Sequence, residues 1–425
     1  MVHYWQCLLV GVLLKRLVEA SQPSLPSGTP DGQPRLSQVY ETTTAIPLPN
    51  VGNLQVHDPN IIFWDDHYYL FKGGQYIPFF KAANMSGPWS QVGTVLEGES
   101  IIHQGNSNRS RPWAPTTVER NGTFYCYYTL STSGSQKSAI GVATSTTLDE
   151  SSWIDHGAVI RTGVGNGSDI WPFTVTNAID ASFVQDNLTG KAYLNYGSFW
   201  HDIWQVPLTD DWLSIESPQK PDARQLTFIP HEAVRPQEGS WMSSRDGYYY
   251  VWFSHGRCCN FDKRGFPDRG NEYSIRVGRS RDVRGPFVDR TGKSLLDGGG
   301  TIVYASNHGL VYAPGGVGVL SGSSSTLDIL YYHYLNTSVG FRDDQAQLGY
   351  SYLQYDHGWP VVLDGIVAQS GAARALRLLD PWSITFCFGE CALGLNPHLC
   401  DSLTDVSPSR VLVLRHLQRV ESDLP

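Results

Sequence analysis

Positive charge is scarce and scattered in this chain. Lys and Arg total 31 against 40 Asp and Glu, leaving a net charge of −9 over 425 residues with no basic run. The electrostatic footprint of a nucleic-acid-binding surface is therefore missing. Long apolar runs are missing too: Cys7 to Leu14 is too short to cross a bilayer, so no membrane anchor is expected. The chain has seven cysteines, and no spacing among them resembles a zinc site. Over residues 50–362 no long stretch carries helical periodicity, which leaves strands as the building material.

The short apolar run, closed by Val18-Glu19-Ala20, reads as a secretory signal peptide over residues 1–20, although Lys15-Arg16 interrupts it. Residues 21–49 form a lead-in whose Ser-, Pro- and Gly-rich part, to residue 38, is expected to lack structure. Six Asn-x-Ser/Thr triplets, at Asn84, Asn108, Asn121, Asn166, Asn187 and Asn336, fit a secreted, extracellular glycoprotein. Cys7 leaves with the signal, and Cys387, Cys391 and Cys400 fall in the tail. That leaves Cys126 and the adjacent Cys258 and Cys259, so a disulfide from Cys126 to one of that pair is an open pairing. Residues 364–425, rich in Leu and Arg, break the pattern of the rest and are assigned no chemistry.

What the chain does have is a repeated phrase, a turn followed by a tyrosine-rich strand. It occurs at Asp65–Phe71, Asn121–Tyr128, Thr189–Tyr196, Asp246–Phe253 and Leu327–Tyr334. Each copy is followed by a second strand pattern with small residues and an aromatic close, as in Ala82-Ala83-Asn84-Met85-Ser86-Gly87-Pro88-Trp89. A unit of this size cannot bury its own sheet faces, so the units must stack. Five copies predict an all-β, five-bladed β-propeller over residues 50–363 rather than a β-sandwich. The abundant aromatic rings serve strand packing first, and those at a propeller mouth also suit stacking on sugar faces.

Three carboxylates lie upstream of three copies at nearly equal phase: Asp58, Asp180 and Glu238, each fewer than ten residues ahead. In a radial fold, equal phase means equal radius, so three acids far apart in sequence would meet near one axis. Pro59 pushes Asp58 toward an extended or turn conformation. Asp180 stands among small and apolar neighbours, and Gly239 beside Glu238 permits close approach. Each acid alone reads as an ordinary turn or surface residue. Together they suit inverting glycosidic hydrolysis, in which one carboxyl protonates the leaving oxygen and another activates water. A third acid then holds the donor's pKa up by like-charge repulsion.

At these residues the chain resembles glycoside hydrolase family 43, and within it the arabinan endo-1,5-α-L-arabinosidases. The resemblance runs through His57-Asp58-Pro59, Trp113-Ala114-Pro115, Gly134-Ser135-Gln136, Ser138–Ser145, Asn177-Ala178-Ile179-Asp180, Leu194–Trp200, Glu238-Gly239-Ser240 and Gly298-Gly299-Gly300-Thr301. It implies Asp58 as general base, Glu238 as general acid and Asp180 as the residue that tunes and orients that acid. It further implies substrate contacts at Asp58, Gly134, Asn177, Ala178, Ile179, Asp180, Ser198, Phe199 and Trp200. Trp113 is either a stacking platform or a core tryptophan at a blade start. Bacterial members carry a histidine that helps hold a central metal; here Ala313-Pro314-Gly315-Gly316 puts glycine at that place, so no cofactor is required and a central calcium is not called for. The expected substrate is arabinan, cut internally by a secreted monomer. The competing readings are an exo-acting arabinofuranosidase or β-xylosidase of the same family, or a non-catalytic sugar-binding propeller.

Overall fold

A computed structural model describes residues 45–52, 54–322 and 327–363. The expected signal peptide, most of the lead-in and the 364–425 tail lie outside the described residues. Twenty strands form five four-stranded antiparallel sheets, each a meander in chain order. Blade one is β1 (Asn60–Trp64), β2 (His67–Phe71), β3 (Pro78–Ala82) and β4 (Ser90–Thr94); blade two is β5 (Trp113–Arg120), β6 (Thr123–Leu130), β7 (Ala139–Ser145) and β8 (Ile154–Arg161). Blade three is β9 (Ser182–Gln185), β10 (Ala192–Tyr196), β11 (Trp204–Pro207) and β12 (Arg224–Gln225). Blade four is β13 (Gln237–Arg245), β14 (Tyr248–His255), β15 (Ser274–Ser280) and β16 (Thr301–Tyr304), and blade five is β17 (Val311–Leu320), β18 (Asp328–Asn336), β19 (Gln347–Asp356) and β20 (Trp359–Val362). This is the five-bladed propeller that the repeat predicts. The tyrosine phrases are the second strands β2, β6, β10, β14 and β18.

Local chemistry explains the hairpins. Asp65-Asp66, Asn121-Gly122, Asp246-Gly247 and His357-Gly358 each occupy the two-residue turn between consecutive strands, both residues with positive φ. That is the turn whose twist matches the flanking strands, and Asn, Asp and Gly tolerate it best. The strands' apolar faces are then buried between blades. Phe71, Phe79 and Tyr128 pack blade one on blade two, and Tyr127, Leu194 and Tyr196 pack two on three. Tyr193 and Phe253 join three to four, and Trp252, Tyr332 and Leu353 join four to five. Ile61, Leu70, Tyr331 and Leu348 close the ring between five and one. The end of the lead-in and the segment after it take part: Leu48 donates its N–H to Tyr350 O at 2.9 Å, and Leu348 donates to Leu54 O at 3.2 Å.

The pairing left open for Cys126 does not form. Cys258 and Cys259 are bonded to each other. Cys126 stays a thiol on β6, fully buried between blades one and two, and burial pushes its pKa up to about 12. It lies in the core while the pair lies in a loop, so the two cannot meet. Among the described residues no helix is long and apolar enough to cross a membrane.

The strand register defines one functional face. Asn60 pairs with Phe71, Glu238 with Ser254 and Val311 with Asn336, so each inner strand begins beside the end of its second strand. The loops that follow the second strands therefore rise on the face where Asp58, Asp180 and Glu238 enter. These loops span 72–77, 131–138, 197–203, 256–273 and 337–346.

Candidate active site

The phase of the acids is visible in the backbone. Asp58, Ala114, Asp180, Gly239 and Ala313 each stand at an inner-strand start, and all five have positive φ. Such a conformation costs a non-glycine residue energy and here turns the chain into the axis. Asp58 and Asp180 are thus truly in phase, and both line an axial cavity together with Ala114, Gly239, Trp241 and Gly316. Glu238 is one residue ahead of the phase. Gly239 lines the cavity in its place, while the Glu238 carboxyl engages two loops: Ser198 Oγ donates to Oε2 at 2.6 Å and Tyr273 OH donates to Oε1 at 3.0 Å. The one-residue offset, with side chains alternating along a strand, gives this acid surroundings different from the other two.

Asp58 is held by two histidines. His57 Nδ1 lies 2.9 Å from Oδ2, and His333 Nδ1 lies 3.3 Å from Oδ1 and 3.1 Å from the Asp58 backbone N. Burial of His333, with His57 beside it, lowers its pKa to about 4. Above that pH the ring is neutral, and its Nδ1 accepts the Asp58 N–H rather than pairing with the carboxylate. Burial alone would raise the Asp58 pKa, but the charge of His57 and the histidine contacts hold it well below the usual carboxylate range.

The other two acids move the opposite way. Burial, then the charges of Glu238 and Asp58, pushes Asp180 well up, against a hydrogen bond from Gly239 N–H to Oδ2 at 3.1 Å. Burial also raises Glu238, with the Asp58 charge adding to it and the Ser198 and Tyr273 hydrogen bonds opposing it. The surroundings therefore displace Asp58 downward and Asp180 and Glu238 upward.

Two consecutive glycines make this geometry possible. A Cβ on Gly315 would stand 2.0 Å from the Tyr273 ring, and one on Gly316 2.5 Å from Asp58 Oδ1 and 2.7 Å from His333 Nδ1. Gly316 therefore opens the window through which His333, on the neighbouring strand, reaches Asp58. The space at residue 316 is filled by these two groups. His57, Asp58 and His333 offer two nitrogens and one carboxylate within 4.8 Å of one another. Calcium takes six to eight oxygen ligands, so this set does not fit it, and no step below involves a metal.

The other expected site residues divide. Ser198 touches Glu238, and Phe199 and Trp200 stand half-buried beyond it on the same loop, Phe199 N donating to Gln237 O at 3.0 Å. Gly134 is at an exposed tip with φ +75 and open space around it. Trp113 is half-buried, belongs to none of the apolar clusters among the described residues, and pairs with Thr129, whose hydroxyl receives the Asp180 N–H at 3.2 Å. Asn177 is buried, its Oδ1 taken by Ser138 Oγ at 2.7 Å. Ala178 and Ile179 are both buried, Ala178 fully and within the blade two–three interface, so their side chains pack inward. That segment fixes where Asp180 emerges. Tyr273, His57 and His333 are the functional residues that sequence reasoning missed. The available signals were a histidine breaking an aromatic strand and a Gly-Gly pair within a strand pattern, which marks close approach.

The model of Glycosyl hydrolases family 43 matches residues 49–360. The chain is 54% identical over 319 residues to the probable arabinan endo-1,5-alpha-L-arabinosidase D of Emericella nidulans, covering 75% of this chain and 83% of that one. Among solved structures it is similar to an exo-1,5-alpha-L-arabinanase from a bovine ruminal metagenomic library, with TM-score 0.63, 27% identity, and coverage of 73% and 97%. It is also similar to the family 43 endo-arabinanase of Bacillus licheniformis, with TM-score 0.60, 28% identity, and coverage of 74% and 99%.

Proposed function

The chain belongs to glycosyl hydrolase family 43, and from that premise we propose that it is a secreted endo-acting enzyme that hydrolyses internal α-1,5-L-arabinofuranosyl links of arabinan with inversion. The observation that carries the mechanism is the contrast between two carboxyls: Asp58 lies against His57 and His333, whereas Glu238 is buried beside Ser198 and Tyr273, surroundings that displace the first pKa down and the second up. Carboxyls set apart in this way divide base and acid roles.

Glu238, still protonated, gives its proton to the glycosidic oxygen as the bond to the anomeric carbon breaks. Asp58, ionised, takes a proton from the water that attacks that carbon from the opposite face. Glu238 ends as a carboxylate stabilised by Ser198 and Tyr273, and Asp58 ends protonated; exchange with solvent restores both. Asp180 acts through the pair. The Glu238 charge raises the Asp180 pKa, and such coupling is mutual, so loss of a proton from one of the two carboxyls makes loss from the other harder. A sugar-binding propeller needs no such separation of carboxyls, which disfavours the non-catalytic reading.

Internal cutting is favoured by the 54%-identical relative, named an endo-acting enzyme. Because the similar solved structures include both exo- and endo-enzymes, the fold does not choose between them. Product sizes from linear arabinan decide: mixed oligomers early in the reaction are expected, and a single small product from the start overturns endo action. Secretion is supported by the sequons, of which Asn84, Asn108, Asn121, Asn166 and Asn187 are exposed. Recovery from culture fluid with a mass lowered by deglycosylation is the expected result; retention in the cell contradicts it.

A further inference from the structure

We propose that His57 is a positioning residue for Asp58, held as an imidazolium, and that the Cys258–Cys259 disulfide keeps it so by facing Nε2 with an atom that can only accept. The proposal rests on the reading of Asp58 as the general base.

His57 precedes Asp58, and both ring nitrogens are engaged. Nδ1 lies 2.9 Å from Asp58 Oδ2, and Nε2 lies 3.5 Å from Cys259 Sγ. Because Cys259 is bonded to Cys258, that sulfur carries no hydrogen. An ionised carboxylate carries none either. A neutral imidazole has one N–H, so one of its two contacts would set lone pair against lone pair. Only the doubly protonated ring donates to both.

The surroundings agree with a charge on this ring. Its face stacks on His333 with centroids 3.9 Å apart and planes 27° apart. Two stacked cations would repel, and His333 is neutral above about pH 4 and serves as acceptor for the Asp58 N–H. Burial lowers the His57 pKa, but the Asp58 charge and hydrogen bond, with the Asp343 charge behind them, raise it overall. Asp343 is tied to the disulfide loop, its Oδ1 receiving the N–H of Asn260 at 2.8 Å. One loop, 256–273, thus carries the sulfur that meets His57 and the Tyr273 hydroxyl that meets Glu238.

The consequence is a base that stays ionised in acid. A cation fixed against Oδ2 favours the carboxylate form of Asp58. Cleaving the disulfide replaces the acceptor with a thiol, which can donate to Nε2. His57 can then be neutral with Nδ1–H retained, and Asp58 loses part of what holds it ionised.

The test compares oxidised enzyme, enzyme reduced with a phosphine and a Cys258→Ser/Cys259→Ser double variant. In the reduction the S–S bond becomes two thiols, and the phosphine takes its oxygen from water. The kcat/KM profile against pH on arabinohexaose is measured with the ¹⁵N shifts of the His57 ring. Both altered forms are expected to move the acid limb to higher pH, with activity at pH 4 relative to pH 6 falling roughly twofold as Asp58 approaches an ordinary carboxylate. The alkaline limb stays in place, and His57 titrates lower than in the oxidised enzyme. An unmoved acid limb, or an unmoved His57 titration, overturns the proposal. Should the double variant fail to fold, the reduced enzyme carries the comparison. Should the oxidised enzyme cleave no arabino-oligosaccharide, the activity reading fails by itself, and the ring spectrum in the two redox states still decides the charge on His57.

Discussion

Tyr273 donates its phenolic hydrogen bond to Glu238 at 3.0 Å while its ring faces His333, the histidine that receives the backbone N–H of Asp58. A single side chain thereby joins the surroundings of Glu238 to those of Asp58. Tyr273 stays protonated at any working pH, because burial and the Glu238 charge raise its pKa well above the usual value.

Tyr273→Phe removes a hydrogen bond that favours ionised Glu238. The Glu238 pKa is already raised, and losing this contact raises it further. The alkaline limb of the pH profile is expected to move to higher pH, and kcat to fall roughly tenfold, the range for a hydrogen bond to a charged group. Steady-state kinetics across pH check this; an unmoved alkaline limb would reduce the contact to a packing role.

Gly316→Ala places a methyl where Asp58 Oδ1 and His333 Nδ1 already stand, at φ +59. Asp58 or His333 must shift. A drop in kcat of tenfold or more is expected, with stability lower by about 1–3 kcal/mol. Thermal unfolding and kinetics measured on the same preparation check both.

Asp202 is fully buried on the loop that carries Ser198, with Oδ2 accepting the Ile229 N–H at 2.8 Å and Oδ1 unpartnered. Burial raises its pKa to about 8. A raised folded-state pKa means that its contribution is fully present below the unfolded value of 3.8 and is lost as pH rises through about 8. Asp202→Asn keeps an acceptor without the charge. It is expected to raise Tm by roughly 2 °C or more at pH 8 and to change it little near pH 3. A lower Tm at pH 8 would contradict this.

The second strands of blades one, two and four were legible because each pairs a turn that needs Asn, Asp or Gly with aromatic residues that fill an inter-blade interface, as Asp246-Gly247 does ahead of Trp252. Asp58 and Asp180 were legible through phase. The offset of Glu238 was not, because a one-residue step at a strand start depends on the bulge between Glu238 and Trp241. For Ala178 and Ile179 the resemblance transfers a segment whole, whereas burial separates the side chains that face the core from that of Asp180, which lines the cavity. His333 sat inside a quoted phrase, but its reach across Gly316 is a tertiary fact. Cys258 and Cys259 were visible as neighbours; their bond, and the histidine against it, depend on how the 256–273 loop folds back over blade one's entry.

The most direct test of the central claim, that Asp58 activates water on the face opposite Glu238, is ¹H NMR of arabinohexaose hydrolysis in its first minutes. The account predicts that new reducing ends appear in the β configuration and drift to the α/β mixture by mutarotation. Reducing ends that appear first as α would mean two displacements instead of one, and would contradict it.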